Sequence, residues 1–85
     1  MAYSVYIVYI VECSDGTYYT GMAVDVEKRT QEHNGSAKGA RYTRTRRPVT
    51  LVYHETHPDR SSALKREHAV KKMTRAQKSA LIRAQ

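Results

Sequence analysis

From Val5 to Glu12 the chain reads VYIVYIVE, with β-branched and aromatic residues at nearly every position. That composition favours a strand. Apolar residues on both of its faces predict a central strand covered on both sides. TYYTGM, residues 17–22, reads as the return strand of a hairpin, with Asp15-Gly16 as the turn signal. A two-residue turn pairs Glu12 with Tyr19 and puts Tyr9 and Tyr19 on opposite faces. A three-residue turn, Ser14-Asp15-Gly16 with Gly16 left-handed, pairs Val11 with Tyr19 and puts Tyr9, Val11 and Tyr19 on one face. The pattern alone permits either.

Asp25 is a good N-cap for the short helix VEKRTQEHN, which Asn34-Gly35 stops. Residues 34–48 read as a loop, longer than most connections. VTLVYHE, residues 49–55, predicts a third strand, and Pro58-Asp59 breaks the chain before the helix RSSALKREHAVKKM. Thr74-x-x-Gln77 is a capping box that opens a last helix, whose apolar face comes from Leu81 and Ile82. The predicted order is β-β-α-β-α-α, with no repeat, linker or low-complexity segment.

The chain has 85 residues, which predicts one domain over 1–85. A chain of this size buries roughly 60–65% of its surface, so a site must be shallow and built on the single core. The net charge of +7, from 15 Lys and Arg against 8 Asp and Glu, attracts polyanions, nucleic acid first and an anionic membrane surface second. No apolar run approaches the ~20 residues of a membrane helix. The N-terminus has no basic segment before its apolar run, which argues against a signal peptide. Cys13 is the sole cysteine, so it forms no internal disulfide and reads as a small core hydrophobe. The expectation is a soluble cytoplasmic protein.

Several residues invite chemistry, each beside a plainer reading. All seven aromatics are tyrosines, so phenol is either the packing aromatic or, in part, a functional hydroxyl. Glu67 falls beside the stripe formed by Ala63, Leu64 and Val70; it is either a surface acid paired with Lys71 or a metal ligand aimed at the sheet. Arg29 and His33, four apart, share a helix face: a polar surface, or a phosphate grip next to a proton carrier. The loop carries Lys38, Arg41, Arg44, Arg46 and Arg47 around Tyr42-Thr43 and no acid. That suits a surface tracking a nucleic-acid backbone, with Tyr42 available for stacking and Lys71 as a further cation. His54 and His57 lack the convergent partners that a zinc site needs.

Ile7-Val8-Tyr9, nine residues, then Tyr19-Thr20-Gly21 resembles the paired triplets of the GIY-YIG endonuclease superfamily. DVEKRTQEHN resembles that family's first helix, GARYTRTRRPVTLVYHE the following loop and strand, and DRSSALKREHAVKKM the helix that bears its metal-binding Glu. The likeness spans nearly the whole chain and is nearest to the small stand-alone bacterial and archaeal members. Two positions depart from the triplets: Ile7 stands for Gly, and Thr20 for Ile. Ser4-Val5-Tyr6 is a competing first triplet, which would make Tyr6 the motif tyrosine.

The resemblance implies an α+β fold, a three-stranded antiparallel sheet flanked by three helices, with the site on one face. It implies a Mg²⁺-dependent (or Mn²⁺-dependent) endonuclease that hydrolyses phosphodiesters, of DNA more than RNA, in DNA repair or processing. Tyr9, Tyr19, Arg29 and His33 match its catalytic positions, and Glu67 its single metal ligand. Both tyrosines must then share a face, which selects the three-residue turn. Arg29 and the metal would stabilise phosphoryl charge. Tyr9 or Tyr19 would act as base, its pKa lowered by those cations, with His33 as shuttle or alternative base. The competing expectation is a binding module that uses the loop at 38–47 and cuts only with a protein partner that supplies target specificity.

Overall fold

In the computed structural model, which describes residues 5–35 and 38–85, the hairpin turn fixes where the side chains of the first two strands point. Gly16 has φ +83°, the left-handed region that glycine enters without steric cost. Its amide donates to the Cys13 carbonyl, and the Cys13 amide donates to Thr17 O at 2.8 Å. The loop is therefore Ser14-Asp15-Gly16. It joins β1 (Tyr6–Glu12) to β2 (Tyr18–Ala23), with Val11 opposite Tyr19 and Tyr9 opposite Gly21. Asp15 accepts from the Thr17 amide and hydroxyl, which locks the turn. Tyr9, Val11 and Tyr19 share one face, as the three-residue turn requires.

After β2 come α1 (Val26–Gly35), α2 (Arg41–Arg44), β3 (Thr50–His57), α3 (Arg60–Lys71) and α4 (Arg75–Arg83). The strands form one antiparallel sheet in the order β2-β1-β3, so β1 is central, as its unbroken apolar run demands. Three helices are expected and four are present among the described residues. The extra one, α2, is a single turn inside the basic loop, closed by the Thr43 and Arg44 amides on Ala40 O. β3 also runs past its expected end at residue 55, because Thr56 and His57 continue to pair with Ile7 and Tyr6. Ser4 of the competing triplet, and Ser36 and Ala37 of the loop, lie outside the described residues.

Caps hold the helices where the sequence signals them. Asp25 Oδ1 accepts from the Lys28 amide, Asp59 from the Ser62 amide, and Thr74 and Gln77 form the reciprocal capping box. Beyond α1, Asn34 behaves like a strand residue: its side chain donates to Val49 O and accepts from Val49 N at 2.6 Å. The end of α1 is thereby sewn to the start of β3.

The sheet carries a core on each face. Tyr9, Val11, Cys13 and Val49 pack with Tyr19, Ala23, Val26 and Leu51 on the α1 side. Ile10, Tyr53 and Val70 pack with Tyr18, Val52, Met73, Leu81 and Ile82 on the side of α3 and α4. Val8, Ile10 and Val11 are wholly enclosed, each burial stabilising by about 1.5–3 kcal/mol. A bulge in β3 makes this split workable. Ile10 pairs with Tyr53 and Val11 with Leu51, so Val52 is extra and two successive side chains turn to the same face.

One hydroxyl on the α3 side is badly placed. Thr20 Oγ1 is buried and has no hydrogen-bond partner among the described residues. A buried, unsatisfied hydroxyl costs about 1–3 kcal/mol. Thr20→Val keeps the shape, suits a strand and removes that cost. It should raise stability by about 1 kcal/mol, read as a higher urea midpoint with an unchanged slope.

Candidate active site

Tyr9 stands opposite Gly21, and the missing side chain there matters. A Cβ on Gly21 would lie 2.4 Å from Tyr9 Oη and 2.6 Å from Cζ. The tyrosine ring thus lies across the β2 backbone and carries its hydroxyl toward α1. A strand glycine predicts close approach by a backbone or ligand; here the approaching group is the Tyr9 ring itself. Tyr6, three residues away, pairs with His57 and lies on the other face, away from Tyr19.

α1 supplies the partner. His33 is fully enclosed, and its Nε2 is 2.7 Å from Tyr9 Oη. Its Nδ1 is 2.8 Å from Thr43 Oγ1 on α2, and Thr43 donates its one hydroxyl proton to Ala40 O. Thr43 must then accept the Nδ1 proton. That leaves Nε2 as the acceptor for the Tyr9 hydroxyl. The Ala40 amide lies 3.4 Å from Nδ1, longer than either bond in this chain. Thr43 is also wholly buried. The sequence shows Thr43 only as one small polar residue among cations, with no spacing that ties it to His33.

Burial governs the charge states. It pushes the His33 imidazole down to about 4, with Arg29 second, so the ring is neutral at pH 7. Burial likewise pushes the Tyr9 phenol up to about 12; Arg29 beside it favours phenolate, while Tyr19 and Glu67 oppose it. The expectation that cations would lower the motif phenol is therefore reversed for Tyr9. Desolvation outweighs the guanidinium, and the Tyr9 proton stays on oxygen until an acceptor is offered.

Arg29 reaches this hydroxyl while held from elsewhere. Its Nη1 donates to Glu32 Oε1 at 3.0 Å and to Lys38 O at 2.6 Å. Arg29 and Glu32 line a shallow surface cleft with Met22, Ala23, Asp25 and Lys28. Tyr19 sets its ring edge-on to His33, centroids 5.2 Å apart, and stacks on Tyr42 at 5.9 Å. Four of the five expected residues, Tyr9, Tyr19, Arg29 and His33, therefore meet in one place.

The fifth comes from α3. The Glu67 side chain is only 14% exposed. Lys71 Nζ lies 3.5 Å from its carboxylate, the i+4 pair of the plainer reading. Its charge reaches Tyr9, as the weakest of the influences that raise that phenol. No cluster of three or more His, Cys, Asp or Glu suited to a metal is found among the described residues. Glu67 does fit the one arrangement open to it: a hard divalent cation on a single carboxylate, with water and substrate oxygens completing the shell.

The basic loop is less available than its composition implies. Its apparent lack of acids holds only along the chain. Arg46 Nε pairs with Asp15 from the hairpin turn at 3.0 Å, and the guanidinium lies 4.0 Å over Tyr42. Tyr19 stacks on the same ring, and Tyr42 nevertheless remains exposed. Arg47 donates to His33 O and Glu32 O, satisfying carbonyls at the end of α1. Lys38, Arg41 and Arg44 are exposed. His57 is not in a turn but on β3, where Glu55 holds it together with Tyr53 and Arg66. His54 is exposed on the opposite face.

Two outcomes follow from this geometry. Gly21→Ala forces Tyr9 off His33 and should cost about 2 kcal/mol by overpacking, measured by thermal or urea unfolding. His33 contributes a pH dependence whose sign is fixed. Its folded pKa lies below its unfolded value of 6.5, so the unfolded chain binds the extra proton. The stabilisation is fully present above pH 6.5 and is lost as pH falls toward 4. Between pH 7 and 5 the loss should reach about 2 kcal/mol, and His33→Gln should flatten it.

Comparison with known proteins identifies the family and supports the fold. The GIY-YIG catalytic domain matches residues 5–80. A UPF0213 protein of Desulfotalea psychrophila is 58% identical over 77 residues, covering 91% of this chain and 70% of that protein. One from Halobacterium salinarum is 54% identical over 75 residues, covering 88% and 96%. The solution NMR structure of a UPF0213 protein from Bacillus halodurans superposes with a TM-score of 0.62 at 41% identity, covering 95% of this chain and 85% of that one. The solution NMR structure of an E. faecalis protein gives 0.64 at 41% identity, covering 94% and 84%. The chain belongs to the GIY-YIG catalytic-domain family, a nuclease family whose domains bind nucleic acid.

Proposed function

We propose that this protein is a Mg²⁺-dependent (or Mn²⁺-dependent) endonuclease that hydrolyses phosphodiester bonds of DNA on the face bearing Tyr9, Tyr19, Arg29 and His33. The observation that carries the reading is the 2.7 Å bond from the Tyr9 hydroxyl to a buried, neutral imidazole, with a guanidinium beside it. A packing tyrosine needs only some acceptor for its buried hydroxyl, not one that can take a proton with a cation alongside. A hydroxyl that must give up its own proton while taking one from water needs an acceptor behind it and a cation near it.

In this reading Arg29 moves from Glu32 onto the scissile phosphate, which it grips through its fork, and its departure opens Tyr9 to the attacking water. Water oxygen bonds to phosphorus and the bond from phosphorus to the leaving oxygen breaks, while the water proton passes to Tyr9 Oη and the Tyr9 proton to His33 Nε2. The departing oxygen takes a proton from solvent, and His33 gives its proton back to solvent. Thr43 holds the ring in the tautomer that can receive it. Arg29 then faces the negative charge that gathers on the phosphoryl oxygens. Glu67 would hold the metal, and the metal when bound supplies Lewis-acid stabilisation of that charge. Tyr19 walls the site against His33, while Lys38, Arg41, Arg44 and Lys71 contribute backbone attraction. DNA repair or processing in the cytoplasm is the setting that this chemistry suits.

The test uses supercoiled plasmid and branched DNA with and without Mg²⁺. Wild type should nick only with the metal. Glu67→Ala and Tyr9→Phe should each lose 10²-fold or more in rate, and Tyr19→Phe about tenfold. Equal activity of wild type and Glu67→Ala would refute the reading. A larger loss from Tyr19→Phe than from Tyr9→Phe would transfer the base to Tyr19. Salt-sensitive binding without cleavage would leave the binding module.

A further inference from the structure

The sequence conceals a second basic stretch, because its cations are spread over two helices. Residues 68–85 hold Lys71, Lys72, Arg75, Lys78 and Arg83 and no acid. The fold gathers part of this stretch at one corner. Thr17 and Tyr18 from β2, Met73 from the α3–α4 turn, and Arg75 and Lys78 from α4 line a single cleft on the sheet face opposite the Tyr9–His33 pair. The cleft has a polar floor, since Tyr18 Oη lies 3.3 Å from Ser79 Oγ.

The cations there are held but not neutralised. Arg75 lies 4.6 Å over the Tyr18 ring and donates to Gly16 O in the hairpin turn. A ring and a carbonyl orient the guanidinium, yet neither carries a countercharge. Lys78, one turn further along α4, is partly buried, and its pKa is lowered by that burial and then by Lys71. Lys71 is in turn the partner of Glu67, the acid that borders this group. Lys78 thus adds a second positive charge beside the fixed guanidinium in one cleft, an arrangement that an anion from outside stabilises. By contrast, in the loop at 38–47 Arg46 and Arg47 are already engaged by Asp15 and by helix carbonyls.

We propose that the cleft formed by Tyr18, Arg75 and Lys78 is a phosphate-binding site for the nucleic-acid backbone, outside the cutting centre. It sits on the far side of the hairpin turn from the loop, with Arg75 on Gly16 and Arg46 on Asp15 flanking the same turn. The inference rests on the nucleic-acid reading above and adds a place of contact to it.

The experiment is a salt titration of binding to a fluorescent 20-base-pair DNA duplex, by anisotropy in EDTA so that no cleavage occurs. Each phosphate contact adds about one to the slope of log K against log salt. Arg75→Gln and Lys78→Gln should each lower that slope by about one and weaken binding about fivefold at moderate salt. Lys65→Gln removes the same charge from the exposed face of α3 and should change the slope little. Thermal unfolding checks that all three remain folded. Equal slopes for the three variants would overturn the site and leave only general charge attraction. Loss of binding to anionic lipid vesicles, with DNA binding intact, would also overturn it. Failure of wild type to bind DNA at low salt would overturn the nucleic-acid reading as well, which separates the two failures.

Discussion

The fold and the site depend on one buried hydrogen bond, from the Tyr9 hydroxyl to His33 Nε2. It joins the central strand to α1 among buried side chains, where a phenol or an imidazole left alone would cost more than the bond returns. Everything around it serves that pairing. Gly21 leaves room for the ring, the Asp25 cap aims the helix, Asn34 pins the end of the helix to β3, and Thr43 occupies the other ring nitrogen. Polar groups this enclosed either specify a unique arrangement or destabilise the core. Here each one in the chain finds its partner.

The same enclosure sets the chemistry apart from what nearby charges imply. Arg29 stands beside Tyr9, yet the phenol moves up and the imidazole down. Both groups are held in the neutral forms that can pass a proton along a line. The pair is thus poised by desolvation. An anion at the site, such as the singly charged phosphodiester of the proposed reaction, would draw Arg29 outward and make a positive charge on His33 less costly.

Much of the architecture was legible along the chain. An unbroken apolar run fits only a strand covered on both faces, Gly16 fits only a left-handed position in the turn, and caps at Asp25, Asp59 and Thr74 mark their helices. The shared face of Tyr9 and Tyr19 follows once the turn is fixed at three residues. What could not be read depends on distant parts of the chain meeting. Thr43 acquires meaning because a single helical turn carries it under α1. The countercharge of Arg46 is Asp15, 31 residues away in sequence. The shift of Tyr9 reflects how completely α1 and Gly21 enclose it, which composition does not reveal. Glu67 was legible as an anomaly on its helix; that its charge reaches Tyr9 was not, since periodicity gives a face but not a distance.

The bulge in β3 has a consequence for how charge is divided in so small a molecule. By inserting Val52, it turns Tyr53, Glu55 and His57 toward α3, where Arg66 receives the carboxylate. An uninterrupted ladder anchored at Leu51 would have swung that acid to the side of Tyr9, placing an anion on the face that bears the Tyr9–His33 pair. One surplus residue thus acts as a sorting device: it keeps the two faces of a three-stranded sheet electrically distinct without lengthening the chain.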